Sequence, residues 1–317
     1  MRILVTGASG LLGLNLALSA AGQAGEGHLV IGTVKDHALE TDAFRTIQTD
    51  LLIPGAVERL LDQTQPDWVI HCAAMANVDA CEADPEQAKQ MNSELPGKLA
   101  AYVARGGARL VHISTDAVFD GQRGDYLEED VPNPSSIYAR TKLEGERSVA
   151  QANPEAIIAR VNLFGWSLTG ARSLGEFFFY NLSAGKRVRG FTDVFFCPIL
   201  ANDITPILIR MLEKKLSGMY HVVSRECTTK YEFGVRIARR FGLDESLITP
   251  SSVAEAGLRA VRSPKLTLRT DKLAAALGEP PPDLSTGIEG FYRLYQQGYP
   301  QILKGIGENP LTHRTII

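Results

Sequence analysis

From the N-terminus, apolar positions come in short unbroken runs, each followed by a stretch where they recur every three or four residues. "RILVTG" precedes "LLGLNLALSAA", "HLVIGTV" opens a second unit, and "FRTIQTDL" precedes "GAVERLLDQT". "PDWVIHCAA" leads to "PEQAKQMNSELPGKLAAYVARGG", then "ARLVHIST" to "IYARTKLEGERSVAQA" and "AIIARVNLFG". Strands that are apolar throughout are buried on both faces, so this alternation predicts a parallel sheet with helices on each side. Right-handed crossovers then make it an α/β fold with a doubly wound sheet. After Trp166 the rhythm loosens into a helical "SLGEFFFYNLSAG", a strand-like "GMYHVV" and an amphipathic "TKYEFGVRIARRFGL". A Pro-rich "GEPPPDLS" precedes the helical "GIEGFYRLYQQG". The pattern predicts a first domain over residues 1–165 and a smaller, mostly helical C-terminal lobe over 166–317. A segment at about 199–224 is expected to return to the first domain.

Composition narrows the class. The chain has 317 residues, 44% hydrophobic and 22% charged, enough apolar material for a large core. A net charge of −3 gives no electrostatic footprint for nucleic acid or an anionic membrane, so neither is an expected partner. The apolar runs stop short of the ~20 residues of a membrane span. "MRILVTGASG" enters a strand pattern with no signal-peptide signature, which makes a cytoplasmic location the expectation. Cys72, Cys81, Cys197 and Cys227 show no paired spacing, so all four are expected to be reduced thiols, and no metal site is expected. Cys197 is expected to pack rather than react.

Candidate chemistry begins at Gly7, Gly10 and Gly13, a glycine turn between the first strand and the first helix. A tight strand-to-helix turn needs residues without Cβ, and a helix N-terminus offers free N–H groups to phosphate. That position predicts a dinucleotide site, which makes the doubly wound sheet a Rossmann sheet. The second strand ends at Lys35-Asp36, beside the expected adenosine ribose. Lys35 favours NADP(H) through a 2′-phosphate, with NAD(H) the alternative because Asp36 is adjacent. Asp50, after the third strand, is placed to accept from an adenine amino group or to cap a helix.

Tyr138 and Lys142 are four residues apart on one helix face, one strand-to-helix excursion after "STDAVFDG". An ammonium beside a phenol lowers the phenol's pKa, and such a Tyr can pass a proton to a carbonyl oxygen as hydride reaches the carbon. Lys142 can also hold ribose hydroxyls, and Thr115 supplies a second hydrogen bond to the same oxygen.

"TGASGLLG", "CAAMANVDACEADPEQAKQMN", "STDAVFDG" and "YARTK" resemble the extended short-chain dehydrogenase/reductases, and within them the dTDP-4-dehydrorhamnose reductase family. The likeness spans nearly the whole chain. "GKRVRGFTDVFFCPILANDI" and "VRSPKLTLRTDKLAAALG" resemble that family's substrate loop and C-terminal segment. The resemblance implies a catalytic set of Thr115, Tyr138 and Lys142. It implies cofactor contacts at Gly7, Ser9, Gly10, Leu11, Leu12 and Gly13, at Lys35, Asp50 and Leu51, and at Cys72, Ala73, Ala74, Asn92 and Ser114. It further implies substrate contacts at Thr115, Asp116, Ala117, Asn162, Cys197 and Arg262.

The implied reaction is reduction of the 4-keto group of a nucleotide-linked deoxysugar, and the implied assembly is a homodimer. Departures from the family pattern fall mostly on the substrate side. Ala117 stands where an aromatic is frequent, Cys197 where a small polar residue is usual, and one Arg of a pair is missing beside Arg262. On the cofactor side, Cys72 replaces a common Asn. Sugar-nucleotide dehydratases carry an acid in the Ala117 slot, so dehydration is disfavoured, whereas epimerisation stays open. The other alternative is a non-catalytic, dinucleotide-binding regulatory subunit like methionine adenosyltransferase β.

Overall fold

The computed structural model describes residues 1–22, 28–36, 38–256 and 263–307. Seven parallel strands form the central sheet: β1 (Arg2–Thr6), β2 (Leu29–Val34), β3 (Arg45–Gln48), β4 (Trp68–His71), β5 (Arg109–Thr115), β6 (Ile157–Val161) and β7 (Gly218–Val222). Their spatial order is β7-β6-β5-β4-β1-β2-β3. The order reverses between β1 and β4, where Ile3 pairs with Trp68 on one side and Val30 on the other. A crevice therefore opens beyond the carboxyl ends of these strands, where ligands bind in doubly wound sheets.

Alternation along β1 divides the core. Ile3 and Val5 face one hydrophobic cluster with Leu14, Leu16, Ile204 and Leu208, while Leu4 faces another with Leu60, Leu99, Val103 and Val149. The first cluster lies under the helices Leu11–Gly22 and Ala201–Glu213, which pack on each other. The chain then re-enters the sheet as β7, with Gly218 opposite Ile157.

The second unit is built on the helices Leu174–Ser183, Lys230–Phe241 and Leu284–Gln296. Trp166, fully buried, stacks on Phe291 at 3.9 Å between centroids and meets Phe179 edge-on. Short strands accompany the helices: Val188–Phe191 pairs with Ile248–Ser251, and Phe195–Phe196 lies between Thr228–Thr229 and Lys265–Leu266. The final described helix, Tyr299–Gly307, folds back on the first unit. There the Tyr299 hydroxyl donates to Asn15 Oδ1 at 2.9 Å and the Ile306 carbonyl accepts from the Glu40 N–H at 3.0 Å.

The cysteines depart from the expectation. Cys197 and Cys227 form a disulfide, and only Cys72 and Cys81 are free thiols. Strand register is the physical reason. Antiparallel pairing sets Phe196 opposite Thr228, so the next residues along, Cys197 and Cys227, must face each other. Among the described residues, no helix is long and apolar enough to cross a membrane, and no group of three or more His, Cys, Asp or Glu could hold a metal ion.

Candidate active site

Gly7 leaves β1 in the left-handed region (φ 69°), where a Cβ would lie 2.8 Å from the Ala73 backbone. A Cβ on Gly13 would lie 2.3 Å from the Gly7 carbonyl. The turn is therefore closed to side chains, and its concave side faces the N-terminus of the Leu11–Gly22 helix. That cradle suits the pyrophosphate of a dinucleotide.

Two adjoining hollows extend from it. The first, of about 210 Å³, is lined by Gly7, Ser9, Lys35, Asp50, Leu51 and Ala73, among others. Asp50 is already engaged: its Oδ1 accepts the Leu52 N–H at 2.9 Å, and its Oδ2 lies 3.2 Å from Lys35 Nζ. The Leu52 N–H, and after it Lys35, holds the carboxyl below its usual range. The second hollow, of about 770 Å³, has Leu11, Leu12 and Gly13 on one wall. Opposite them stand Ser114, Thr115, Asp116, Tyr138, Lys142 and Asn162. Gly10, Cys72, Ala74 and Arg172 line both hollows, so the two form one groove.

The deep end of the groove is set by local folding. β5 ends at Thr115, whose hydroxyl accepts the Ala117 N–H at 3.2 Å and lies 3.1 Å from Asp116 Oδ1. Ser136 caps the next helix, Ile137–Ala152, by accepting the Ala139 N–H at 3.2 Å. One helical turn then separates Tyr138 from Lys142. Burial pushes the Tyr138 phenol up to about 12, opposed by its hydrogen bond with Thr115. Burial lowers Lys142 to about 8, with the Glu146 carboxylate opposing. Burial raises Asp116 to about 6 against a 2.5 Å hydrogen bond from Asn162.

The ammonium does not steady the phenol in the way its spacing suggests. Lys142 Nζ donates to the Ile113 carbonyl at 2.6 Å and lies 3.5 Å from His112 Nε2. Burial dominates at Tyr138, and its phenol stays protonated at neutral pH.

Several expected contacts are placed differently. Asn92 is fully buried behind the groove, where its side chain accepts the Met75 N–H at 2.9 Å and donates to the Met75 carbonyl at 3.0 Å. It braces the loop after β4 rather than lining the groove. The Ser114 hydroxyl turns away from the groove to donate to Glu146 at 2.6 Å, so only the rest of the residue faces it. Ala117 is half-buried and outside the lining, because the short turn Asp116–Val118 carries it past the rim. Cys197 is fully buried in its disulfide beside Val118 and Phe119, also outside the lining. Arg262 lies outside the described residues.

Other groups near the site had no motif to announce them. Arg172 comes from the loop before the Leu174–Ser183 helix. The buried Glu146–Arg160 pair, at 2.8 and 2.9 Å, ties the Tyr138 helix to β6 and fixes Ser114.

A glycine turn leading into a cleft that holds Thr115, Tyr138 and Lys142 is the layout of the extended short-chain dehydrogenase/reductases. Within that class the chain belongs to the family described as RmlD substrate binding domain, which matches residues 1–297. The probable low-salt glycan biosynthesis reductase Agl14 of Haloferax volcanii is 35% identical over 293 residues, covering 91% of this chain and 96% of that protein. Methionine adenosyltransferase 2 subunit beta of Bos taurus is 33% identical over 258 residues, covering 78% and 75%. The crystal structure of a dTDP-4-dehydrorhamnose reductase from Clostridium acetobutylicum superposes with a TM-score of 0.81 at 27% identity, covering 93% of this chain and 100% of that one.

Proposed function

We propose that the protein is an NADP(H)- or NAD(H)-dependent reductase acting on the 4-keto group of a nucleotide-linked deoxysugar, with Tyr138 as the acid. The observation that carries this reading is a single groove joining the glycine cradle to Thr115, Tyr138 and Lys142. A bound reduced dinucleotide would supply the hydride. The chain's own groups handle the oxygen. Thr115 donates a hydrogen bond that polarises the carbonyl, and Tyr138, a phenol protonated at neutral pH, delivers the proton. Lys142, anchored on the Ile113 carbonyl, presents its remaining N–H groups to ribose hydroxyls. Asp116 and Asn162, hydrogen-bonded to each other, border the space left for the sugar.

The test is oxidation of NADPH by purified protein in the presence of a dTDP-4-keto-6-deoxyhexose. Tyr138→Phe should abolish turnover while cofactor binding persists. The likeness to methionine adenosyltransferase 2 subunit beta favours a second, weaker reading, a non-catalytic regulatory subunit. No turnover across a broad panel of 4-keto sugars, together with a stably co-purifying partner, would establish that reading instead.

A further inference from the structure

Beyond Lys35 the groove opens into a third hollow of about 320 Å³, lined by Ser9, Lys35, Asp36, Leu168, Arg172 and Lys304, among others. Ser9, Lys35 and Arg172 belong both to it and to the hollow beside Gly7 and Asp50, so the two are continuous. Its three cations come from three parts of the chain: the turn after β2, the loop before Leu174–Ser183, and the helix Tyr299–Gly307. Among the described residues, neither the Arg172 guanidinium nor the Lys304 ammonium has an ion-pair partner, and Asp36 is the only carboxylate in the lining. Gln48 steadies the turn by donating to the Lys35 and Asp36 carbonyls at 3.2 and 3.1 Å.

Lys35 is shared with Asp50 of the adjoining hollow, and Arg172 and Lys304 outweigh Asp36, so the recess at the ribose end of the groove is concave and net positive. A nearly dianionic phosphomonoester is the ligand chemistry that this charge and position fit. We infer that Lys304 and Arg172, together with Lys35, form the binding site for the 2′-phosphate of NADP(H). The helix Tyr299–Gly307, which contributes no residue to the lining around Tyr138, thereby becomes a determinant of cofactor choice. The inference rests on the dinucleotide reading above and adds to Lys35 two residues, Arg172 and Lys304, that no glycine motif or second-strand rule points to.

The experiment is calorimetric titration of the full chain with NADPH, NADH, 2′,5′-ADP and 5′-AMP, for wild type, Lys304→Ala and Lys304→Glu. Wild type should bind 2′,5′-ADP about tenfold or more tightly than 5′-AMP. Lys304→Ala should remove about that factor for NADPH and 2′,5′-ADP while NADH stays within about twofold, and Lys304→Glu should erase the preference. Equal weakening of NADPH and NADH, or no effect of either variant on NADPH, overturns the assignment of Lys304. A wild-type preference for NADH over NADPH overturns the phosphate site as a whole. Failure of wild type to bind either dinucleotide overturns the cofactor reading itself, an outcome told apart by the NADH arm.

Discussion

Thr115 and Lys142 show how far a residue's role depends on its surroundings. Thr115→Val should leave cofactor affinity unchanged and lower kcat by about a hundredfold, since one preorganised donor to a developing oxyanion is worth about that much. Steady-state kinetics with a 4-keto sugar checks it. Lys142 is held at about 8, so its ammonium is present below that pH and is lost as pH rises through it. NADPH affinity should therefore fall from neutral to alkaline pH in wild type and become flat in Lys142→Met, as read by fluorescence titration.

That Thr115, Tyr138 and Lys142 line one hollow was legible in the sequence from the strand end, the helix spacing and the family resemblance together. The true setting of Lys142 was not, because the Ile113 carbonyl that anchors it belongs to a different element. Arg172 was hidden for a similar reason: it reaches the groove from a loop in the second unit, with no periodic signal.

Elements meet at the site through a few close or charged contacts. Gly145, in the Tyr138 helix, lets the Asn92 backbone approach so closely that a Cβ would come within 2.1 Å of the Asn92 carbonyl. Asn92 lies in a π-helical stretch, Gln90–Glu94, a local widening that turns its amide toward Met75. Gly145→Ala should destabilise by roughly 1–3 kcal/mol through overpacking, with reduced turnover as the helix carrying Tyr138 shifts. Urea unfolding and kinetics together measure both effects. Glu146→Gln leaves the Arg160 charge buried without its partner and should cost about 3–5 kcal/mol. At this scale the alternating strands and helices of the first half were readable from hydrophobic period alone. The disulfide was not: a 30-residue separation carries no spacing signal, and only the register of Phe196 with Thr228 brings the two sulfurs together.

At the scale of the whole molecule, buried imidazoles contribute to the pH dependence of stability. Burial lowers His71 and His221 to about 3, from about 6.5 in an unfolded chain. Their neutral burial contributes stability that is full above about 6.5 and is lost as pH falls toward 3. Asp116 has the opposite sign: raised to about 6, it favours the fold below about 3.8 and opposes it as pH rises through about 6. Tm should therefore decline steadily as pH falls below about 6.5. Asp116→Asn should raise Tm at neutral pH while leaving that acid decline in place. Scanning calorimetry across pH separates the two contributions.

The path of the chain has its own consequence. It visits the first unit over residues 1–161, 201–222 and 299–307. Asn15 records all of this in one side chain, donating to the Trp166 carbonyl at 2.8 Å and accepting from Tyr299 at 2.9 Å. A chimera spliced once near residue 165 would import a foreign edge strand and a foreign cover for the Leu11–Gly22 helix along with the new lobe. The pieces to exchange would instead be taken from the described residues within roughly 163–200 and 223–298, between the anchor points at β6, the helix Ala201–Glu213, β7 and the helix Tyr299–Gly307. Exchange of specificity among relatives would then have to leave in place the helix Asp271–Leu277, which packs on β7, where Lys272 Nζ donates to the Met219 carbonyl at 2.8 Å.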